Sequence, residues 1–250
     1  MERRFGGLAR LYGEQGARRI RQAHIAVVGI GGVGSWVAEA LARSGVGTLT
    51  LIDLDHIAES NVNRQVHALS STLGMAKVEA MRQRIQQINR ECAVHAVDAF
   101  VEADNWPGVL PAGVQGLIDA CDQVRSKTAM ADWGRRGRGL FLTIGAAGGK
   151  RHAHRVEVAD LSKVTHDPLL AQVRYGLRRS FGAPKEGRAL DVHCVFSREE
   201  VRAADPSCAA SQSDGSLNCH GYGSVVSVTA TFGMVAAGWM IDKISLQDSE

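Results

Sequence analysis

The stretch HIAVVGIGGVGSWVAEALARSGVGTLTLID, residues 24–53, decides the fold of this chain. An apolar run rich in β-forming residues enters the glycine-rich turn 29–34, a helical sequence follows, and a second apolar run ends on Asp53. This is the G-x-G-x-x-G pattern in its strand, turn, helix and strand context, with an acidic residue about 20 residues further on. Glycines let a phosphate approach the backbone, and a helix N-terminus offers free N–H groups and a positive dipole end. The stretch therefore predicts an adenine-nucleotide site.

The composition is ordinary for a globular protein, with 45% hydrophobic and 22% charged residues in a chain of 250. The formal net charge of +3 permits a polyanionic partner but does not require one. The five cysteines are odd in number and form no C-x-x-C pair, which argues against a disulfide framework and against the usual structural zinc site. Because the N-terminus has no apolar signal core, we expect a cytoplasmic protein with reduced thiols.

Strand-like and helix-like segments alternate along most of the chain. Strands are predicted at 24–29, 48–53, 94–100, 114–119 and 140–144, and helices at 7–22, 75–89 and 125–136. Two further strands are predicted at 155–158 and 192–196, on either side of a charged segment. The alternation predicts an α/β fold of the Rossmann-like, doubly wound kind, with a mostly parallel sheet, helices on both faces and an elaborated C-terminal third.

We interpret residues 1–250 as a single nucleotide-binding domain. Within it we expect an N-terminal helical arm at 1–22, a substrate or crossover-loop region at 150–223, and an apolar C-terminal helix at 224–245. Residues 225–241 carry no charge, but the run is short for a bilayer span and contains serine, threonine and glycine. A buried or interface helix is therefore favoured over a membrane anchor.

The glycine motif alone would also suit a nicotinamide cofactor, so hydride transfer is the first hypothesis to weigh. Residues further along the chain favour a triphosphate instead. Arg64 and Lys77 are fixed positive charges suited to phosphate oxygens. Asp122 follows a predicted central strand, where a carboxylate can hold Mg²⁺ against phosphates. Each of these residues alone could be a surface charge or a helix cap, but together they favour ATP.

The combination of GIGGVGS at 29–35, LIDLD at 51–55, NVNRQ at 61–65, Lys77 and DACD at 119–122 resembles the ubiquitin-activating-enzyme-like adenylating superfamily. In that superfamily a substrate carboxylate attacks the α-phosphate of ATP, pyrophosphate leaves, and an acyl-adenylate forms. The resemblance implies an ATP- and Mg²⁺-dependent adenylating enzyme. The apolar last helix and the N-terminal arginines favour a homodimer.

The resemblance also implies a role for each matched residue. The implied nucleotide-binding residues are Gly29, Gly31, Gly32, Gly34, Asp53, Asp55, Asn61, Arg64, Gln65 and Lys77. Among them, the two aspartates would bind ribose and help to place the metal, whereas Asn61, Arg64 and Lys77 would hold phosphates. Asp122 would be the Mg²⁺ ligand, and Arg4 would reach from one subunit into the site of its partner. The implied catalytic set is Asp122, Arg64, Lys77 and Arg4.

Further segments are similar to a tRNA-modifying branch of this superfamily. They are RFGGLARLYGEQG at 4–16, TIGAAGG at 143–149, DPLLAQVR at 167–174 and VHCVFS at 192–197. This resemblance implies that the activated carboxylate belongs to threonylcarbamoyladenosine in tRNA, next to the anticodon. A carbamoyl nitrogen would then close a five-membered ring as AMP leaves, with net loss of water.

The expected partner is therefore tRNA that carries this nucleoside. Basic residues in the second half of the chain suit contacts with a phosphate backbone, which would be sensitive to salt. They are Arg135, Arg136, Arg138, Lys150, Arg151, His152, His154, Arg174, Arg178, Arg179, Lys185 and Arg188.

Two alternatives stay open. An activator of a small sulfur-carrier or ubiquitin-like protein, with a sulfur-relay protein as partner, would need a nucleophilic thiol at Cys194, Cys208 or Cys219. Cys194 lies in an apolar run, which favours a buried inert thiol. A nicotinamide oxidoreductase is the other alternative. The sequence also leaves open whether a monovalent cation is bound.

Overall fold

The computed structural model describes residues 2–185, 187–203, 205, 207 and 222–247. Among these residues there are seven strands: β1 His24–Val28, β2 Thr48–Ile52, β3 Ala93–Val97, β4 Gly116–Asp119, β5 Leu140–Ile144, β6 Val156–Asp160 and β7 His193–Ser197. The same residues contain six α-helices: α1 Glu2–Gln22, α2 Gly34–Arg43, α3 Lys77–Ile88, α4 Val124–Arg135, α5 Pro168–Ser180 and α6 Val226–Leu246.

The strands form one sheet in the order β3-β2-β1-β4-β5-β7-β6. Neighbouring strands are parallel except for β6, which pairs antiparallel with β7. The doubly wound, mostly parallel α/β fold predicted from the sequence is therefore confirmed. The chain order reverses between β1 and β4, and ligands bind in such sheets outside the carboxyl ends of the strands at this reversal.

Each face of the sheet is covered by its own group of helices. One face buries Ile20 of α1, Val37 of α2 and Met81 of α3 together with Phe232 of α6. The other face packs against α4 and α5, from which Met130, Leu170 and Val173 are buried. Both faces are covered because the inner strands β1, β2, β4, β5 and β7 are buried almost throughout, as strands between two helical layers usually are.

The apolar character of the last helix follows from its packing against α2 and the sheet. Phe232, Ala236 and Met240 are buried. A Cβ placed on Gly233 would lie 2.7 Å from the Cβ of Trp36 in α2, so glycine permits the two helices to approach closely. In the described part of the chain, no helix combines the length and the apolarity that a bilayer crossing requires.

The N-terminal arm bends in the middle of α1. Gly13 has φ 73° and ψ 167°, which interrupts the helix. After this bend Ala17 and Ile20 are buried, whereas Leu11 before it is 73% exposed. Within 150–223, the described residues form β6, α5 and β7. The two strands extend the sheet beyond β5.

The glycine turn brings three chain segments into backbone contact. Gly29 has φ +83°, and a Cβ on it would lie 2.8 Å from the backbone nitrogen of Cys121. Gly34 opens α2, and a Cβ on it would lie only 1.7 Å from the carbonyl oxygen of Gly29. These two glycines are therefore required so that α2 can begin directly against the ends of β1 and β4.

The close approach at Gly34 gives a sharp prediction. We expect Gly34→Ala to lower the free energy of unfolding by about 3 kcal/mol or more, because a methyl group there overlaps backbone that cannot move aside. Urea unfolding followed by circular dichroism measures the change. Gly31→Ala is the matched control, since its added carbon would meet nothing closer than 4.0 Å. Equal stability of the two variants would contradict the packing argument.

Candidate active site

A cavity of about 510 Å³ lies at the carboxyl ends of β1, β2 and β4. Most of the residues that the sequence predicted for the site line it: Gly29, Gly31, Gly32, Asp53, Asp55, Asn61, Arg64, Gln65, Lys77 and Asp122. Gly34 and Arg4 are the predicted site residues that do not line it. The cavity is large enough for a nucleotide, because small-molecule sites usually measure about 300–1,000 Å³.

The carboxylate of Asp53 stabilises the glycine turn through hydrogen bonds. Its Oδ2 accepts the N–H of Ile30 at 2.6 Å, and its Oδ1 accepts the N–H of Asp55 at 2.8 Å. Burial raises the pKa of this carboxyl, and the Lys77 ammonium and the two backbone N–H groups oppose that rise. Asp53 therefore fixes the turn around which a phosphate would bind.

Two cations face the cavity from different elements. Lys77 opens α3 and is only 7% exposed, and its Nζ lies 2.6 Å from Oδ2 of Asp55. Arg64 follows a short 3₁₀ turn, and its Nη1 donates to the Ser60 carbonyl at 2.7 Å and to Oδ1 of Asn63 at 2.9 Å. Its side chain passes 3.3 Å from the position that a Cβ on Gly32 would occupy. Both cations are thus held close to the glycine turn.

Two buried side-chain amides, those of Asn61 and Gln65, also line the cavity. Oδ1 of Asn61 accepts the N–H of Ala58 at 3.0 Å and so shapes the loop that presents Arg64. Gln65 is 5% exposed, and its Oε1 has no hydrogen-bond partner among the described residues. A buried oxygen without a partner costs about 1–3 kcal/mol. Gln65 is therefore suited to accept a hydrogen bond from a bound ligand.

A buried ion pair that the sequence analysis missed lies beneath the loop after β4. Lys127 of α4 and Asp119 of β4 are both inaccessible to solvent, with Nζ 2.9 Å from Oδ2. Nζ also donates to the Cys121 carbonyl at 2.9 Å, and Thr143 donates to Asp119 at 2.7 Å. Burial lowers the pKa of Lys127, but the attraction of Asp119 outweighs it and the pKa is raised overall. A lysine five residues after DACD carried no signal that could be read from one sequence.

This ion pair holds the chain segment that presents Asp122 to the cavity. Mg²⁺ is commonly held by only one or two carboxylates together with substrate phosphates and water. The described residues contain no cluster of three or more histidine, cysteine, aspartate or glutamate side chains suited to a metal. One carboxylate, that of Asp122, beside a cavity large enough for a nucleotide therefore fits Mg²⁺ that is bound together with the phosphates of a nucleotide.

The remaining walls come from the C-terminal half of the chain. Gly145, Ala147 and Gly148, in the loop after β5, line the cavity together with Leu169 and Thr229. Asp167 orders this loop, because its carboxylate accepts the N–H groups of both Ala146 and Leu170. The Asp-Pro dipeptide before α5 is an N-cap signal that could have indicated Asp167.

Arg4 lies away from the cavity of its own subunit. It is exposed, and its Nη1 donates to the Ile88 carbonyl at 2.7 Å, at the end of α3. The expected role of Arg4 in the site of a partner subunit therefore stays a prediction.

The described cysteines are poorly suited to nucleophilic chemistry. Cys194 is fully buried inside β7, and burial raises the pKa of its thiol well above the usual value. Cys121 lines the cavity, but its thiol lies 3.0 Å from Oδ1 of Asp119 and its pKa is also raised by burial. Cys208 and Cys219 lie outside the described residues.

A glycine turn at the strand reversal, two cations and a carboxylate line one cavity of an α/β fold, an arrangement suited to a nucleoside triphosphate. The chain belongs to the ThiF family, whose profile matches residues 5–250. It is 44% identical over 245 residues to the tRNA threonylcarbamoyladenosine dehydratase of Haemophilus influenzae, covering 97% of this chain and 94% of the relative.

Solved structures agree with this assignment. The Escherichia coli tRNA N6-threonylcarbamoyladenosine dehydratase in complex with ATP superposes with a TM-score of 0.87 at 45% identity, covering 97% of this chain and 94% of that one. The same enzyme in complex with AMP gives a TM-score of 0.86, with the same identity and coverage. The resemblance to the adenylating superfamily is confirmed.

The buried ion pair predicts a non-additive response to mutation. We expect Lys127→Met to cost about 3–5 kcal/mol of unfolding free energy, because it leaves the Asp119 carboxylate buried without its counter-charge. The double variant Asp119→Asn with Lys127→Met should be clearly more stable than the single variant. Urea unfolding of the two single variants and the double variant measures the coupling. A double variant as unstable as Lys127→Met would argue against an ion pair.

His67 predicts a loss of stability in mild acid. It is 2% exposed, and its pKa is lowered to about 4 by burial and by the nearby charges of Lys77 and Arg84. An unfolded histidine titrates near 6.5, so below that pH the unfolded chain binds more protons and stability falls until about pH 4. We expect roughly 2 kcal/mol less unfolding free energy at pH 5 than at pH 6.5 from this residue alone.

Replacing His67 should remove that pH dependence. In His67→Gln the slope of stability between pH 6.5 and pH 5 should flatten, whereas in His154→Gln, which alters an exposed histidine, it should persist. Thermal unfolding at several pH values measures both slopes. An unchanged slope in His67→Gln would show that other groups cause the acid sensitivity.

Proposed function

We propose that this chain uses ATP to dehydrate threonylcarbamoyladenosine in tRNA, and that it does so by adenylating the carboxylate of the threonyl group. The single observation that carries the proposal is the convergence of the glycine turn, Arg64, Lys77 and Asp122 on one cavity. High identity over nearly the full length to dehydratases of this name supports the choice of substrate. The ATP and AMP complexes of the Escherichia coli enzyme support the choice of nucleotide.

The phosphates of ATP would bind between the glycine turn and the two cations. A carboxylate attacking a phosphate is opposed by the repulsion of two anions. Lys77 and Arg64 reduce that repulsion and stabilise the negative charge that grows on the phosphate oxygens in the transition state. Because Asp55 and the Ser60 carbonyl already orient them, little rearrangement is needed when the nucleotide binds.

Asp122 would hold Mg²⁺ against the phosphates, and Oε1 of Gln65 would accept a hydrogen bond from a hydroxyl group of the bound ligand. When bound, Mg²⁺ supplies Lewis-acid stabilisation of the phosphate charge. Lys127 acts through the backbone, because its hydrogen bonds to the Asp119 and Cys121 carbonyls position the loop that carries Asp122.

The proposed reaction needs no nucleophile from the enzyme. A carboxylate oxygen forms a bond to the α-phosphorus, and the bond to the pyrophosphate oxygen breaks. A carbamoyl nitrogen then attacks the activated acyl carbon, loses its proton, and expels AMP as the ring closes. The net change in the nucleoside is the loss of one water. A fully buried Cys194 is compatible with this route.

We also propose a cytoplasmic homodimer in which Arg4 of each subunit enters the site of the other. Exposure of Arg4 and of Leu11 on the outer half of α1 supports this arrangement. An activator of a sulfur-carrier protein, served by a sulfur-relay partner, remains the second candidate. The burial of Cys194 weighs against it, since that chemistry requires an accessible thiolate.

Mass spectrometry of tRNA nucleosides tests the proposal directly. The protein, ATP and Mg²⁺ should convert threonylcarbamoyladenosine in tRNA to a product lighter by one water, with AMP and pyrophosphate formed in equal amounts. Asp122→Asn and Arg64→Ala should each slow the reaction by about 10³-fold or more, as removal of such charges does in phosphoryl transfer. Glu91→Gln is the control, because Glu91 is exposed and precedes β3, at the amino ends of the strands, whereas the cavity lies at their carboxyl ends.

Other outcomes would contradict parts of the proposal. Turnover of NAD without pyrophosphate would contradict adenylation altogether. Loss of activity in Cys194→Ser, Cys208→Ser or Cys219→Ser in a correctly folded protein would favour the sulfur-carrier reaction. Near-normal activity of Asp122→Asn would refute its assigned role.

A further inference from the structure

A group of residues beside the cavity, here called the basic rim, does not line the cavity itself. The rim consists of Arg151, Arg155 and Arg202, whose side chains are exposed, together with the exposed ring of Tyr222. It begins two residues after Gly149, in the same loop whose Gly148 lines the cavity. Its position and chemistry differ from those of Arg64 and Lys77, which face the cavity from the opposite half of the sheet.

Buried charges fix the backbone of this rim. Lys150 is 1% exposed, and its Nζ donates to the carbonyls of Ser197 at 3.2 Å and Glu199 at 2.7 Å. The Glu199 carboxylate is buried too, and it accepts the backbone N–H groups of Arg151 at 3.1 Å and His152 at 2.8 Å. Lys150 therefore points inward and its neighbour Arg151 outward, on a segment that cannot easily move.

The rim is tied to the cavity at Gly149. The N–H of Arg202 donates to the Gly149 carbonyl at 2.9 Å, and the Gly149 N–H donates to the Gly223 carbonyl at 2.9 Å. A Cβ placed on Gly148 would lie 3.5 Å from the Cβ of Tyr222. The arginines and the tyrosine are thus gathered within a few residues of the cavity wall.

The nearby carboxylates cancel only part of this charge, because none of the ion pairs among the described residues involves Arg151 or Arg155. Glu199 is occupied by backbone N–H groups and lies 3.9 Å from Nε of Arg202, and Glu157 pairs with Arg198. Glu200 is exposed in the same stretch. Three exposed arginines with an exposed aromatic ring suit single-stranded RNA, since cations attract its phosphates and an aromatic ring can stack on an unpaired base.

Basic residues on α4 and α5 are less suited to this task. Arg135 and Arg174 donate to backbone carbonyls of their own subunit, and Arg136 pairs with Asp132. Arg179 is exposed, but it lies ten residues beyond the cavity-lining Leu169 along α5, which is roughly 15 Å.

We propose that the basic rim binds the RNA strand on either side of the nucleotide that enters the cavity. Arg151, Arg155 and Arg202 contact the flanking phosphates, and the Tyr222 ring stacks on a neighbouring base. This inference rests on the proposed function, because it takes tRNA as the substrate. It assigns these residues to binding and positioning of the RNA, with the chemistry left to the nucleotide cavity.

The test compares the rim with a distant basic surface. The variants are Arg151→Ala/Arg155→Ala, the charge-preserving Arg151→Lys/Arg155→Lys, Tyr222→Ala and Tyr222→Phe. Arg82→Ala/Arg90→Ala is the matched control, which removes the same number of exposed charges from α3 and the residues that follow it. Filter binding with tRNA that carries threonylcarbamoyladenosine gives Kd over a range of salt concentrations. Binding of a fluorescent ATP analogue reports separately on the nucleotide cavity.

We expect the double alanine variant at the rim to raise Kd for tRNA roughly tenfold or more and to reduce the salt slope by about two. Tyr222→Ala should raise Kd and KM for tRNA roughly tenfold, whereas Tyr222→Phe should bind normally. The lysine variant should recover most of the affinity. ATP affinity should be unchanged in every rim variant, and the control should bind tRNA like the parent protein.

Several results would overturn the inference. Normal tRNA affinity in the rim variants, or a larger loss in the control than in the rim, would place the RNA elsewhere. A loss in the arginine variant with no effect of Tyr222→Ala would leave only a general anion site. If the unaltered protein converts tRNA while the rim variants do so equally well, the inference fails and the proposed function stands. If the unaltered protein neither binds nor converts tRNA, both fail.

Discussion

The contact between the glycine turn and the loop after β4 is the constraint on which the site depends. Gly29 touches the Ala120 and Cys121 backbone, and Gly34 touches the Gly29 carbonyl, with no room for a side chain at either position. This contact starts α2 at the strand reversal, so the N-terminus of the helix lies beside the carboxyl ends of β1 and β4. Every group proposed to bind phosphate is arranged around that point.

The buried ion pair below the loop connects the fold to the chemistry. A lysine and an aspartate with no solvent access are costly to bury, and such pairs seldom add net stability over apolar residues. The pair here also donates to the backbone that carries Asp122 and accepts from Thr143 of β5. We infer that the fold tolerates this cost because the pair holds the loop that carries Asp122 in one conformation.

The sequence predicted the fold well because its signals are local. Apolar runs of strand length, separated by amphipathic helices, specify β1 to β5 and their parallel order, and the glycine spacing specifies the turn. The positions of Arg64, Lys77 and Asp122 could also be predicted, since each directly follows or opens a regular element. Lys127 could not, because its importance lies in its burial against Asp119, and burial depends on long-range packing. The contribution of Asp53 to the shape of the turn could not be predicted either, since one of the two hydrogen bonds that its carboxylate accepts comes from Ile30, 23 residues earlier.

The residues that would bind ATP and those that would face the second substrate come from different halves of the chain, which explains how one fold can serve different substrates. The residues that would hold ATP come from the first half of the chain, between β1 and α4, where the glycine turn fixes their positions. The walls that would face the second substrate come from the loop after β5, the start of α5 and the start of α6. Those segments are ordered by their own buried charges at Lys150, Asp167 and Glu199, so they can vary without disturbing the phosphate site. Specificity for a nucleic acid is therefore best sought in the C-terminal half, and the exposed arginines beside Gly149 lie there.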